Sequence, residues 1–350
     1  MKFFQSRCFF SNASIASLIL AAGLAVADPI PLPPAHQRPE AGTGPTQVGV
    51  TAWFADISKI DSAAQNFTVN IFLLLQWKDP SLSHTGPEGR TYALDQVWHP
   101  RCMVSNAGGD LRNTLPETVE VSPDGVVSYR QRFVGSFNES LNLWRFPFDS
   151  ETFTANFVVL GSHPEEVVLT PDPASIAKGL KGAIGRNEIV TIPDWKVSKL
   201  EAGAVPYRLV PGTEIAGYNI SFSASRLCQH YVLKVLLPLL LIVLMSFSVF
   251  WIDPTLGASQ ISVAVTSMLT LIAYRFAIGA DTPKLPYLTL MDAFILLGTM
   301  LVFLSLVEVM ITTRLALRDR VSLARAIDRK CRMIFPIVLI TASIALFLFW

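Results

Sequence analysis

Between residues 69 and 77 the chain alternates. Val69, Ile71, Leu73, Leu75 and Trp77 share one parity, and Asn70, Phe72, Leu74 and Gln76 share the other, with both sets fairly apolar. A period of two sends successive side chains to opposite faces of a strand. The pattern returns at Phe153, Ala155, Phe157 and Val159. It returns again at Tyr218, Ile220, Phe222 and Ala224, with Asn219, Ser221 and Ser223 between them. Ser122-Pro123-Asp124-Gly125 reads as a turn joining two β-rich runs, 117–121 and 126–137. Several short strands at such spacing predict an antiparallel, immunoglobulin-like sandwich over 48–226. Residues 28–47, rich in Pro, Gly and Thr, read as a flexible leader.

After Arg226 the pattern changes. Residues 235–252 form 18 positions without a charge, enough to cross a bilayer at about 1.5 Å per residue. Three more apolar runs follow, so the spacing predicts membrane helices at about 229–251, 259–280, 288–313 and 333–350 within a domain of 227–350. Arg314, Arg318, Arg320, Arg325, Arg329, Lys330 and Arg332 lie between the third and fourth. Basic residues in a short connection favour the cytoplasmic side, which puts both ends of a four-crossing chain outside.

The second helix is not apolar all round. Ser262, Thr266, Leu269, Ala273 and Phe276 are spaced four, three, four and three apart. At about 100° per residue they form a stripe roughly 80° wide. It is hydroxylic at the cytoplasmic end and apolar at the outer end. Water in a pore would satisfy the hydroxyls, and Leu269 with Phe276 would form a constriction that closes by dewetting. Ser and Thr also serve helix–helix packing in membranes. One stripe cannot enclose a pore, so the pore reading requires a symmetric ring of copies.

Composition adds less. The 350 residues are 51% hydrophobic with a net charge of +1, which gives no signal for nucleic acid. Lys2, Arg7, an apolar stretch from Ile15 to Leu24 and Ala25-Val26-Ala27 read as a signal peptide over 1–27. Export places the sandwich outside the inner membrane. Cys8 leaves with the signal, Cys228 and Cys331 sit at or near membrane segments, and Cys102 is alone outside, so no disulfide framework is expected. No Cys or His spacing suits a metal, no cofactor is implied, and no nucleophile–base or paired-carboxylate constellation supports an enzyme. Asp292 and Glu308 are acids in the third helix, either functional or polar packing beside the interfaces.

Five pieces of sequence together resemble the pentameric ligand-gated ion channels, or Cys-loop receptors. They are Trp98-His99-Pro100; Phe146-Pro147-Phe148-Asp149; Arg226 followed by Tyr231 and Pro238; Pro283-Lys284-Leu285-Pro286-Tyr287; and the four-helix layout. The resemblance covers about 48–350. The short connection before the fourth helix is similar to bacterial members. The cysteines that name the family fall at Glu139 and Phe153, so that bridge is absent.

The resemblance implies a homopentamer, each subunit partnered by four copies of itself, in contact with membrane lipid and opened by a small molecule or by protons. It implies that the loop around Pro147 rests on the membrane domain and that Asp149 pairs with Arg226, with Asp61 as a third member. Lys284, Pro286 and Tyr287 would receive the push. For the ligand site the positions carried over are Phe72, Ser105, Asn106, Leu160, Tyr207 and Ile215. Leu160 and Ile215 stand where amine receptors have aromatics, so a cage for an amine is not expected. Two positions linked with proton gating in one bacterial branch fall at Gln65 and Leu271. The cytoplasmic mouth, Ala258, Ser259 and Gln260, is neutral, and cation conduction is the expectation from the bacterial likeness, with anion conduction or a non-conducting anchored binding module as alternatives.

Overall fold

A computed structural model describes residues 37–179, 181–187, 192–279 and 285–350. The signal segment, leader residues 28–36, Asp281 and Lys284 lie outside the described residues. Fourteen strands come first. They are β1 (Thr46–Asp61), β2 (Asn66–Lys78), β3 (Arg90–Ala93), β4 (Cys102–Val104), β5 (Arg112–Asn113), β6 (Thr118–Val121) and β7 (Val126–Asn138), followed by β8 (Ser150–Val159), β9 (Val167–Pro171), β10 (Ile184–Arg186), β11 (Trp195–Ala204), β12 (Tyr207–Val210), β13 (Thr213–Ile215) and β14 (Gly217–Arg226). One sheet runs β10-β1-β2-β7-β6-β3, with β5 on β7 and β9 on β1; the other runs β11-β14-β8-β4. The β12–β13 hairpin stands apart.

The alternation in the sequence is the alternation of burial. Phe67, Val69, Ile71, Leu73, Leu75 and Trp77 of β2 all face the core. Val48, Val50, Ala52 and Phe54 of β1 do the same until a bulge between Phe54 and Asp56 shifts the phase, after which Ile57 is the buried position. Such a bulge bends the strand and raises its local twist. Phe67, Phe153 and Phe222 meet at centroid distances of 5.1 to 5.7 Å, and burying each such ring contributes roughly 1.5–3 kcal/mol. The turn at Ser122–Gly125 needs a glycine: Gly125 has φ 81°, and a Cβ there would lie 2.6 Å from the Asp79 carbonyl.

The leader is not free near the sandwich. Arg38 Nη1 donates to Gly44 O, Thr46 Oγ1 and Glu166 O at 2.8 to 3.0 Å, and β1 already begins at Thr46. Composition overstated the looseness of residues 37–47 because one guanidinium satisfies three acceptors there.

Four helices follow: α1 (Gln229–Trp251), α2 (Gly257–Ile278), α3 (Leu290–Leu317) and α4 (Val321–Phe349). All four are long and apolar enough to cross a membrane. Within α1, Val232–Leu236 widens to a π turn ahead of Pro238. Proline cannot donate to the preceding turn, and in the same stretch the Val235 carbonyl accepts Tyr274 Oη of α2 at 2.5 Å. The main difference from expectation is α4. It starts twelve residues earlier than the apolar run, so most of the basic connection is helical and only Arg318–Arg320 separate it from α3. Charge ends a hydropathy window but not a helical ladder once the chain has left the apolar layer.

The sandwich–membrane junction and the exposed face of α2

The last residue of β14, Arg226, lies at the base of the sandwich, where it meets the loop before β8. Its Nε donates to Asp149 Oδ1 at 2.8 Å and its Nη2 to Asp149 Oδ2 at 2.9 Å, a bidentate pair. The two side chains are only 4% and 1% exposed. The guanidinium is held between the rings of Trp195 at 4.1 Å and Phe146 at 4.7 Å. Its remaining bond goes to Ser62 Oγ at 2.8 Å. Asp61 is therefore not the third member. Its carboxylate takes Lys59 Nζ and the Ala63 and Ala64 amides instead, and these bonds hold it below the usual carboxylate range, the Lys59 bond contributing most.

The loop from Glu139 to Asp149 lies directly on the membrane helices. Trp144 O accepts from Leu290 N and from Trp350 Nε1, both at 2.8 Å, and Phe146 O accepts from Met291 N at 3.2 Å. These amides belong to the first turn of α3, whose donors have no partner within the helix. Leu143 N donates to Tyr287 Oη at 3.1 Å, and the Trp144 and Tyr287 rings stack at 4.9 Å. Phe146 meets Tyr231 of α1 at 4.8 Å, and Phe148 meets Phe347 of α4 at 5.7 Å. One loop thus touches the starts of α1 and α3 and the end of α4. Pro286 is exposed beside it. The Phe146–Pro147 peptide is cis.

Two positions of the loop do what a covalent bridge would do. Glu139 Oε2 accepts Thr154 N at 2.8 Å, tying the loop's entrance to β8. Gln65 Oε1 accepts Leu141 N at 2.9 Å, and Gln65 O accepts Glu139 N at 3.0 Å. Burial pushes the Glu139 carboxyl above its usual range, against the pull of its amide bonds. Glu151, at the loop's other end, is raised by burial in the same way.

Sequence alone missed Trp144, Ser62, Trp195, Phe347 and Trp350. Only Trp144 carried a signal, as a large aromatic next to the Phe-Pro-Phe-Asp run. Asp292, read as an intramembrane acid, is a helix cap: its carboxylate accepts Thr289 N and Oγ1 at 3.0 and 2.7 Å, while Asp292 N donates to Thr289 Oγ1.

On α2, Ser262, Thr266, Leu269, Ala273 and Phe276 are all exposed in the single subunit, Leu269 at 62% and Phe276 at 81%. The buried residues Ala264, Ser267 and Leu271 occupy the opposite side. Leu271 is thus a core residue. The Thr266 hydroxyl donates to Ser262 O at 2.7 Å and Thr270 to Thr266 O at 2.8 Å. The helix, not pore water, takes these protons. Ala258 and Ser259 are exposed. Gln260 is not at the mouth: it is fully buried, and its Nε2 donates to Ile252 O at 2.9 Å and Val249 O at 3.3 Å. It sits about 160° around the helix from Ser262 at 100° per residue, on the packed side.

The six ligand positions are scattered in role. Phe72 is exposed, with the Arg132 guanidinium 5.3 Å from its ring centroid. Ser105 N and Asn106 are structural: Ser105 N donates to Asn156 O, and the Asn106 amide bridges Thr154 O, Asn138 O and Asn156 N. Leu160 is exposed, Ile215 is buried, and Tyr207 pairs with Ile215 across the β12–β13 hairpin. Beneath that hairpin lies an open polar cavity of about 690 Å³ lined by His163, Glu165, Arg208 and Glu214.

Two family models match in tandem. The neurotransmitter-gated ion-channel ligand binding domain matches residues 34–204, and the neurotransmitter-gated ion-channel transmembrane region matches residues 235–321. The chain belongs to the neurotransmitter-gated ion-channel family. Members are ligand-gated channels, not enzymes, and the chain is a multi-pass membrane protein with its sandwich on the extracellular side. It is 27% identical to a proton-gated ion channel of Gloeobacter violaceus, over 87% of this chain and 84% of that one. It is also 23% identical to a gamma-aminobutyric acid receptor beta-4 subunit of Gallus gallus and 24% identical to a rho-3 subunit of Homo sapiens. The match covers 77% of this chain in both cases but only 56% and 58% of those receptors.

Proposed function

We propose that this chain forms a homopentameric, cation-conducting channel in which the Glu139–Asp149 loop passes agonist-driven movement of the sandwich to α2. The observation that carries the reading is the docking of one loop on three membrane helices beside a helix whose mixed face has no partner in its own subunit. Five copies around an axis give that face water and one another. Cation conduction follows from hydroxyl orientation. The Thr266 proton points to the backbone, so its oxygen offers a lone pair to the lumen. Leu269 and Phe276 form the dewetting gate.

The agonist is a proton or a small polar molecule. The cavity of His163, Glu165, Arg208 and Glu214 offers both charge signs and no aromatic box. Cysteines placed singly at Ser262, Thr266, Leu269, Ala273 and Phe276 and treated with aqueous thiol reagents test the pore. Protection of all five in every state, or a purified monomer, defeats it. Planar-bilayer recording in a salt gradient tests selectivity, and a reversal potential that follows chloride overturns cation conduction.

A further inference from the structure

A fold rarely leaves buried polar atoms without a hydrogen-bond partner, and each such atom calls for an explanation. Five of them gather at one place in the membrane domain: both carboxyl oxygens of Glu308 on α3, both of Asp328 on α4, and Oε1 of Gln260 on α2. The three residues are 8%, 1% and 0% exposed. Glu308 faces Asp328, and Asp328 faces Gln260.

Among the described residues no cation forms an ion pair with either acid, and Arg332, which attracts Asp328 without pairing with it, is committed elsewhere. Arg332 Nε donates to Phe250 O at 2.8 Å, and its guanidinium lies over Trp251. Arg325 pairs with Asp253 at 2.9 Å. The Gln260 amide nitrogen is committed to Val249 O and Ile252 O. Cys331 lies beside Glu308 without a hydrogen bond of good geometry to it. Two carboxylates side by side, buried, with no donor, cannot both carry charge. A single proton from cytoplasmic water removes one charge and makes a short O–H···O⁻ bond between the two groups.

We infer that Glu308 and Asp328 form a proton-binding site that holds one proton between α3 and α4. The site adds to the contacts that hold α4, among them Phe335 against Phe247 and Phe250 and Phe347 against Phe148. Only Ala324 and Asp328 of its 29 residues are buried; the others are exposed or half-buried in the single subunit. The proton therefore adds a link between the peripheral helix and α3, with the Gln260 side chain of α2 packed beside it. The assignment stands on the packing of one subunit and does not depend on which helix lines the pore.

Infrared spectroscopy of the full chain in lipid at neutral pH tests it, in ordinary and heavy water. The expected result is a protonated-carboxyl C=O band that shifts in heavy water and is lost in both Glu308→Gln and Asp328→Asn. An amide supplies the donor that the proton supplied, so Glu308→Gln keeps the parent melting temperature while Glu308→Ala lowers it. Absence of the band, or its survival in both variants, overturns the proposal. So does a melting temperature that rises with sodium concentration in the parent and not in the variants, which would place a metal cation there. A Glu308→Gln protein as unstable as Glu308→Ala overturns it as well.

Discussion

Arg226→Lys is the most informative perturbation because it keeps the charge and removes the shape. The guanidinium makes two bonds to Asp149 and one to Ser62, and fills the gap between Trp195 and Phe146. An ammonium is a point charge that can replace one of the Asp149 bonds. The other charge-assisted bond contributes about 1.5–3 kcal/mol and the Ser62 bond about 1 kcal/mol. Loss of the planar stack adds roughly 0.5–1 kcal/mol. The expected destabilisation is about 3–5 kcal/mol. That is the same size as the roughly 3–5 kcal/mol for removing one partner of a buried pair outright. Unfolding of the solubilised protein in a denaturing-detergent titration, followed by tryptophan fluorescence, reads it. A double-mutant cycle with Asp149→Asn should return a coupling of at least about 1.5 kcal/mol. Currents should fall with it, since the pair fixes the loop that sits on α3. Additivity of the two substitutions within about 0.5 kcal/mol would refute the reasoning, as would an Arg226→Lys channel with unchanged stability and gating.

Four further outcomes follow from the geometry. Trp350→Ala removes the bond to Trp144 O and the ring beside it; a loss of about 1–2 kcal/mol and weakened currents are expected by melting and patch recording. In the proposed pore Phe276, 81% exposed in the single subunit, stands at the outer end, and Phe276→Ala should raise the resting leak current measured without agonist. Gly257→Ala forces a Cβ to 2.4 Å from the Thr313 side chain, so Thr313 must shift and the assembly should melt lower, with Thr313→Ala restoring it. Burial raises the Glu139 carboxyl above its unfolded value, so the folded state binds the proton better and the associated stability, full in acid, is lost as pH rises through the raised value. Glu139→Gln keeps an acceptor for Thr154 N and removes the titration, and its melting temperature relative to the parent should therefore be higher at neutral pH than in acid.

What the sequence made legible and what it hid divide along a physical line. Period-two alternation is local, so β2, β8 and β14 could be read from Val69, Phe157 and Phe222 alone, and the stripe on α2 could be read from spacing because a helix repeats regularly. Apolar length marked the four helices, yet it cut α4 short, since Arg325 and Arg332 are tolerated wherever a helix leaves the apolar layer and finds a partner such as Asp253 or the Phe250 carbonyl. That truncation concealed Asp328 in a supposed connection and left Glu308 looking like a solitary acid. Contacts across long sequence distance were illegible for the same reason. Trp350 reaches Trp144 over 206 positions, and Ser62 replaces Asp61 at Arg226 because a turn held by the Ala63 and Ala64 amides points the aspartate away. Gln260 shows the limit most sharply. A mouth position inferred from order along the chain says nothing of rotation about the helix axis, and one residue of advance, about 100°, separates the exposed Ser259 from a side chain sealed against α1 and α4.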